Sequence, residues 1–238
     1  MIAVFDSETC KPIAILQDDH LISDYRTAAA GAVVAQTFAP KAAKTTLIVG
    51  TGTQARLQVE ALLLVRKIHR IEIWGRDVGK AEALRAKLSA QFPKCQFNTS
   101  NDLTKSVPIA DVIITATGAK EPIVEAEWIR PGQHITSVGA DDETKCEIAP
   151  EALVSAAVFV DSVCSAKAFG NTHRAISEQL IGEVHLTEIG AVLNKSIDRD
   201  PEQTTIACLS GLGIQDLTAV NQLWGNLILQ SGVHNPRS

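Results

Sequence analysis

A glycine-rich turn at residues 50–55 is the first feature of this 238-residue chain with the residue types and spacing for chemistry. Gly50 and Gly52 stand in a G-x-G-x-x-A pattern that follows an apolar run and opens a helical pattern. The first glycine allows a tight turn, the second lets the backbone approach a pyrophosphate, and Ala55 lets helix and strand pack closely. The turn therefore predicts a dinucleotide site, although a plain strand–helix connection can have the same pattern.

The choice between NAD and NADP is made about 20 residues further on, where an NAD site usually has Asp or Glu. Position 75 is Gly, and Arg76 follows it. A planar guanidinium suits a ribose 2′-phosphate. Gly75 and Arg76 therefore favour NADPH, with NAD still possible. Asp77 weakens the pattern, and Arg76 as a solvated turn residue is the alternative interpretation.

Asp141 stands at a position suited to catalysis, in the sequence Val-Gly-Ala-Asp after an apolar run. Ligands of open α/β sheets bind at the carboxyl ends of the strands. An Asp after Gly-Ala is more often a loop or helix-cap residue, so its position, more than its type, suggests a catalytic role.

Alternating strands and helices must position these residues. Apolar runs predict strands at 45–49, 71–74, 95–99, 110–116, 134–138 and 157–161, and helical spacing predicts helices at 27–39, 53–67, 78–91, 174–193 and 211–229. Continuous apolar strands separated by helices are typical of a parallel sheet covered on both faces. We therefore expect an α/β fold with a Rossmann-type doubly wound parallel sheet, preceded by a β-hairpin at 1–17.

Composition excludes several classes of protein. A net charge of −5 without a basic block argues against a nucleic-acid partner. The apolar runs are too short to span a bilayer, and Asp6 and Glu8 interrupt any signal peptide. Five scattered cysteines suggest reduced thiols, and the six histidines lack ligand spacing, so we expect a cytoplasmic protein without a metal. His134 is expected to be a satisfied strand-end residue and not a base.

Several stretches resemble the ornithine cyclodeaminase/mu-crystallin family. They are RTAAAGAVVA at 26–35, VGTGTQAR at 49–56, EIWGRDVGKAEAL at 72–84, ADVIITATGAKEPIV at 110–124, IRPGQHITSVGADDETKCEI at 129–148 and SGLGIQDLTAV at 210–220. The resemblance implies a homodimer with a Rossmann domain, here 42–205, and a discontinuous substrate and dimerisation domain, of which 1–41 and 206–238 would be parts. It also implies that this chain lacks the first part of that second domain, including an Arg and a Lys that hold the substrate carboxylate.

The resemblance further implies roles for single residues. The cofactor contacts already inferred from the motifs are Gly50, Gly52, Gly75 and Arg76. The resemblance adds seven more cofactor contacts, which are Arg26, Thr53, Gln54, Thr117, Val138, Lys145 and Leu209. It makes Asp141 the catalytic aspartate and places Asp141 and Ser210 in the substrate pocket. Alone, Arg26 could be a helix-start cation and Lys145 a surface lysine. Family members have Ser-Val-Gly or Leu-Thr-Gly where this chain has Leu-Ser-Gly at 209–211, which leaves the small imino or amino acid substrate undefined.

Two reactions then share this site. In a reductase, NADPH delivers hydride to a cyclic C=N bond beside a carboxylate, as in 1-pyrroline-2-carboxylate or 1-piperideine-2-carboxylate, and Asp141 binds or protonates the nitrogen. In a cyclodeaminase, bound NAD takes and returns the hydride while ornithine becomes proline and ammonia. The cyclodeaminase keeps its NAD bound throughout the reaction, and an acidic residue at position 75 would suit such an NAD site. Because positions 75 and 76 are Gly75 and Arg76, the sequence favours the reductase. A non-catalytic NADPH-binding protein of the crystallin kind is the third possibility.

Overall fold

The computed structural model describes residues 1–193 and 200–231, with side chains described up to Trp224. The strands are β1 (Ile2–Phe5), β2 (Pro12–Leu16), β3 (Thr45–Val49), β4 (Arg70–Trp74), β5 (Gln96–Ser100), β6 (Val112–Thr115), β7 (His134–Ser137), β8 (Ala157–Val160), β9 (Leu186–Glu188) and β10 (Thr205–Cys208). The helices are α1 (Leu21–Phe38), α2 (Thr53–Val65), α3 (Val78–Gln91), α4 (Leu103–Ile109), α5 (Ala152–Ser155), α6 (Val163–Ala168), α7 (Gly170–Ser177), α8 (Ile189–Val192) and α9 (Gly213–Ser231).

Eight of these strands form one parallel sheet, in the order β5-β4-β3-β6-β7-β10-β8-β9. From β3 the chain adds β4 and β5 on one side and then returns to add β6 on the other side. The direction of addition therefore reverses between β3 and β6, and this switch point is where open α/β sheets bind ligands. The sheet confirms the predicted doubly wound fold.

The core lies on both faces of the sheet. Leu47, Ile48 and Val49 of β3 are fully buried, because side chains that alternate between the faces meet helices on each side. Ile48 packs in a cluster with α2 and α3, whereas Leu47 and Val49 belong to a second cluster on the opposite face. This explains why the strand has a continuous apolar sequence instead of an alternating one.

The order of the strands bears on the expected domain boundaries. β10 pairs with β7 on one side and β8 on the other, so the sheet extends to Cys208 and the expected boundary at 205/206 falls inside a strand. After β10, α9 leaves the sheet and packs against α1. Residues 194–199 and 232–238 of the expected domains lie outside the described residues.

Helix α1 is fastened to α2 by polar side chains. Arg66, just past the end of α2, donates hydrogen bonds to the backbone oxygens of Ala35, Gln36 and Ala39 at 2.8–3.1 Å. These carbonyls lie at the carboxyl end of α1, where Ala35 O also accepts the N–H of the C-cap residue Ala39, and the guanidinium supplies further donors to this end of the helix. Gln58 Nε2 donates to Thr27 O at 3.1 Å further along the same interface. The element that carries Arg26 is therefore held against α2 and the parallel sheet beneath it.

The structure differs from the sequence prediction at one helix and at one strand. The helix expected at 174–193 ends at Ser177, because Gln179 has a left-handed φ of 61° and the chain then forms a short 3-10 turn, β9 and α8. β10, at Thr205–Cys208, was not predicted, and it completes the sheet between β7 and β8. The hairpin of β1 and β2 is confirmed; Asp6 Oδ1 accepts two backbone N–H groups and the hydroxyl of Thr9 in its turn.

Candidate active site

The glycine turn after β3 has the geometry of a dinucleotide cradle. Gly50 has φ 134°, and a Cβ atom there would lie 2.4 Å from the backbone oxygen of Ala116, which follows β6. Only glycine accepts both constraints. Gly52 is the N-cap of α2, and a Cβ there would meet no atom within 4 Å. The space beside Gly52 lies at the start of α2, where the first N–H groups of a helix can bind an anion.

The end of β4 carries a cation and no carboxylate at position 75. A Cβ atom at Gly75 would lie 2.5 Å from Thr51 Cγ2, so an acidic side chain would have to move the side chain of Thr51. Arg76 is exposed, and its side chain has no hydrogen-bond or ion-pair partner within residues 1–193 and 200–224. Asp77 does not compete with it, because Asp77 Oδ1 accepts the Lys80 N–H at 3.1 Å and caps α3.

Lysines extend this positive region. Lys80 and Lys87 line a depression of about 330 Å³ beside residues 51–53 of the glycine turn. Arg56 lies there too, but it is paired with Glu60 at 2.6 Å. Within the described part of the chain Lys80 and Lys87 have no ion-pair partner, so the side of the crevice next to β4 offers cations to a phosphate.

A buried glutamate that the sequence analysis missed closes the carboxyl ends of β6 and β7. Glu147 is fully buried, and five groups donate to its two oxygens at 2.6–3.0 Å. They are Thr117 N and Thr117 Oγ1 on Oε1, and Thr115 Oγ1, Ser137 Oγ and Gly139 N on Oε2. A charged residue between Cys146 and the apolar pair Ile148-Ala149 was the available signal, since charges within apolar runs are rarely placed without partners.

Neighbouring residues fit tightly around this carboxylate. A Cβ atom at Gly139 would lie 2.1 Å from Thr117 O and 2.5 Å from Glu147 Oε1, so only glycine allows the loop after β7 to approach. Asn171 Oδ1 accepts the N–H groups of Glu147 and Ile148 at 2.7 and 3.1 Å, and Asn171 Nδ2 donates to Ser137 Oγ at 2.8 Å. Thr117, predicted to contact cofactor, thus turns both its hydroxyl and its backbone N–H to Glu147.

Asp141 follows this loop and is paired with Lys145. Lys145 Nζ lies 2.6 Å from Asp141 Oδ1 and 3.3 Å from Asp142 Oδ2, and the hydrogen bond to Asp141 raises the pKa of Lys145. Asp142 Oδ1 accepts the backbone N–H and the hydroxyl of Thr144, and these hydrogen bonds lower the pKa of Asp142 to about 2. The side chain of Asp141 is 53% exposed, and its Oδ2 has no partner among the described residues.

Six predicted residues meet in one pocket of about 160 Å³ beside this carboxylate. They are Arg26, Gln54, Val138, Asp141, Leu209 and Ser210. The structure thus brings together positions from α1, α2, the end of β7 and the end of β10. Lys145 does not line this pocket and faces a separate depression with Lys120 and Arg174.

Arg26 and Ser210 are each fixed by neighbouring polar groups. Arg26 donates through Nε to Asp216 Oδ1 at 3.1 Å, through Nη1 to Gln215 Oε1 at 3.0 Å, and through Nη2 to Ser23 Oγ at 3.1 Å. The Ser210 hydroxyl and N–H donate to Asp161 at 2.8 and 2.9 Å. Both side chains are held in place before any substrate binds, which suits a preorganised pocket.

Gln54 does not use its side chain toward the pyrophosphate. Its Nε2 donates to the backbone oxygen and to Oδ1 of Asp24 at 3.1 and 2.9 Å, which ties the start of α2 to α1. Thr53, the first residue of α2, remains exposed at the glycine turn.

The remaining polar candidates lie away from the crevice. His134 is fully buried at the start of β7, with ring nitrogens 2.8 Å from Thr205 Oγ1 and 3.0 Å from Thr136 Oγ1, which confirms it as a satisfied structural residue.

Among the described residues, no group of three His, Cys, Asp or Glu side chains could hold a metal ion. None of the helices in the same part of the chain is long and apolar enough to cross a membrane.

The chain matches one described protein family over nearly its whole length. The family model described as "Ornithine cyclodeaminase/mu-crystallin family" matches residues 1–230. The chain belongs to this family. This membership confirms the resemblance inferred from the sequence motifs.

Relatives within the family carry different names. An uncharacterised cyclodeaminase of Sinorhizobium fredii is 39% identical over 227 residues, which are 94% of this chain and 68% of the relative. A delta(1)-pyrroline-2-carboxylate reductase of Colwellia psychrerythraea is 35% identical over 162 residues, 68% of this chain and 51% of the relative. The solved delta(1)-pyrroline-2-carboxylate reductase of Thermococcus litoralis, in complex with NADH and L-proline, has a TM-score of 0.89 at 26% identity, covering 98% of this chain and 72% of its own.

Proposed function

We propose that this protein is an NAD(P)H-dependent reductase of small cyclic imino acids, of the 1-pyrroline-2-carboxylate and 1-piperideine-2-carboxylate type. The observation that carries the proposal is the pocket that places Asp141 beside Arg26 and Ser210 at the carboxyl end of β7. Reductases of such a substrate occur among the relatives. A substrate of this size suits a small polar pocket next to a dinucleotide crevice.

The residues of the crevice fit a dinucleotide. The close approach of Gly50 to Ala116 and the free space in front of Gly52 leave room for a pyrophosphate at the start of α2. A reduced nicotinamide bound in the crevice would supply the hydride.

Asp141 would orient the imine. Lys145 holds Asp141 Oδ1, while Oδ2 is free to accept a hydrogen bond from a protonated imine nitrogen. The Lys145 ammonium, 2.6 Å from Asp141 Oδ1, fixes the position of this carboxylate. An anionic acceptor stabilises the positive charge on the C=N group and makes its carbon a better hydride acceptor.

The end of β4 supports NADPH as the preferred cofactor. The absence of a carboxylate at Gly75, together with unpaired Arg76 and the nearby Lys80, suits a 2′-phosphate better than a free 2′-hydroxyl. The pyrroline carboxylate reductase of Thermococcus litoralis was solved with NADH, so NADH is the second cofactor to be tested.

The test is an assay of the purified protein with each substrate and cofactor. NADPH oxidation should depend on 1-pyrroline-2-carboxylate or 1-piperideine-2-carboxylate, and KM for NADPH should be lower than for NADH. Formation of proline and ammonia from ornithine, without net change in cofactor, would instead support a cyclodeaminase, as one relative is named. Cofactor binding without either turnover would refute both reactions and leave the non-catalytic NADPH-binding protein.

The homodimer and the cytoplasmic location remain predictions.

A further inference from the structure

The five hydrogen bonds of Glu147 lie directly under the carboxyl ends of β6 and β7, which suggests a second role for this carboxylate. Every polar contact of its two oxygens is with an N–H or a hydroxyl group, and no Lys, Arg or His nitrogen of the described residues lies within 4.0 Å. The Ser137 hydroxyl accepts from Asn171 Nδ2, so its own proton points to Glu147. A carboxylate, which only accepts, satisfies all these donors.

The position of this charge within the crevice follows from the topology. A pyrophosphate at the start of α2 and a ribose at residues 75–76 place the adenosine half on the β4 side of β3. The other half of the dinucleotide must then extend across β3 to the ends of β6 and β7, where Thr117 and Gly139 bind Glu147. Glu147 is thus a fixed negative charge beneath the nicotinamide end.

We propose that Glu147 is a positioning residue that holds the loops after β6 and β7 and whose buried charge makes the crevice favour the oxidised, cationic nicotinamide over the reduced, neutral ring. This proposal goes beyond the proposed reaction and rests only on the dinucleotide site. Positive charge develops on the ring as hydride leaves, so the same field would assist hydride transfer to a substrate.

Glu147→Gln removes the charge with little change in shape. The new amide must also place its NH₂ group against a backbone N–H, because Oε1 accepts from Thr117 N and Oε2 accepts from Gly139 N. Loss of geometry should weaken both forms of the cofactor alike, whereas loss of charge should weaken only the oxidised form relative to the reduced one.

The experiment measures Kd of the oxidised and reduced forms of the cofactor that the wild-type protein binds more tightly, by calorimetry and nicotinamide fluorescence at one pH and ionic strength. In Glu147→Gln, the ratio of oxidised to reduced Kd should rise about three- to tenfold. Glu147→Asp keeps the charge, so its ratio should stay within about twofold of wild type even if both Kd values rise.

A matched control makes the same chemical change elsewhere in the sheet. Glu72 of β4 is also buried, but its partner is Arg70 and not a loop of the crevice. Glu72→Gln should leave the ratio unchanged. A ratio that stays constant in Glu147→Gln, or that moves equally in Glu147→Asp or Glu72→Gln, would overturn the proposal.

A second variant covers the case in which Glu147→Gln does not fold. Thr115→Val is isosteric and removes one donor from Glu147 while leaving the charge less compensated, so the ratio should fall. An unchanged or higher ratio would contradict the proposal. If wild-type protein binds neither form, the dinucleotide site itself is wrong, and the inference about Glu147 fails with it.

Discussion

The crevice under β3, β6 and β7 and the pocket beside Asp141 hold their residues in different ways. In the crevice, backbone groups and buried hydroxyls converge on Glu147, and the positions involved are at most 32 residues apart. In the pocket, charged side chains of α1 and α9 are joined across 190 residues, and Arg26 and Asp216 are 16% and 25% exposed. The crevice is therefore built into the sheet, whereas the pocket depends on two helices staying in contact.

This difference has an energetic consequence. Contacts inside the sheet are closed to water, so a misplaced atom there leaves buried groups without partners. Contacts between α1 and α9 are partly solvated, and water can replace them at lower cost. Substitutions in the crevice should therefore have large effects on folding and cofactor binding, and those at the helix contact should have small ones.

The largest effect is expected for Gly50→Ala. The new methyl group requires a strained φ and a 2.4 Å contact with Ala116 O, so we expect destabilisation of about 3 kcal/mol and loss of cofactor binding. Chemical denaturation and NADPH titration measure both effects. Gly52→Ala is the matched control, because it has space for a methyl group; its stability should change by less than about 1 kcal/mol while NADPH affinity falls. Equal stability of the two variants would refute this distinction.

Asp141→Asn should lower kcat at least about 100-fold, since the substrate nitrogen loses its anionic partner. NADPH affinity should remain within about twofold of wild type, because Asp141 lines the pocket and not the glycine turn. Steady-state kinetics with a cyclic imine and NADPH titration check the two expectations. Asp142→Asn serves as the control, as its carboxylate is occupied by the turn at Thr144. Full activity of Asp141→Asn would exclude its catalytic role.

Arg76→Ala should raise Kd for NADPH about tenfold and leave Kd for NADH unchanged, because one charge-assisted contact to the 2′-phosphate is removed. Stability should not change, since Arg76 has no partner among the described residues. The control is Lys94→Ala. It also removes a cation from this half of the chain, but Lys94 lines a depression at the far end of α3. A parallel loss of both cofactors would contradict a 2′-phosphate contact.

Asp216→Asn tests the contact between α1 and α9. Removing the charge that faces Arg26 Nε should lower the free energy of unfolding by about 0.5–1 kcal/mol, as for a partly exposed ion pair. The measurement is urea denaturation, repeated at high salt, where the difference from wild type should shrink. A loss as large as that of Gly50→Ala would show that the pocket is as integral to the fold as the crevice.

The smallest effect concerns the reactivity of Cys146, next to Glu147. Cys146 is 1% exposed, and burial raises its pKa to about 11. Because this pKa lies above 9, the thiolate form of Cys146 stays a small fraction of the residue when the pH is raised from 7 to 9. Iodoacetamide should therefore label the exposed Cys10 and Cys164 first. Mass spectrometry of the labelled peptides gives the order. Early labelling of Cys146 would mean that this side of the crevice opens readily.

Much of the fold was predictable because its signals are local. Continuous apolar runs predicted six strands of the parallel sheet, and helical spacing predicted α2 and α3. The helix expected at 174–193 was wrong, since the left-handed Gln179 ends α7, and β10 was missed because its four residues depend on β7 and β8 for pairing. Such pairings are tertiary, and no window of sequence contains them.

The sequence by itself determined the glycine cradle, the cation after β4 and the family, because turn geometry and charge are properties of adjacent residues. Only the tertiary structure decided that Arg26, Asp141 and Ser210 share one pocket, since three distant segments meet there. It also decided the role of Glu147, whose burial and five donors come from strands that are neighbours in space. A buried charge is stable only where folding brings hydrogen-bond donors to it. Because these donors come from several separate positions, the sequence at any one of them does not reveal the buried charge.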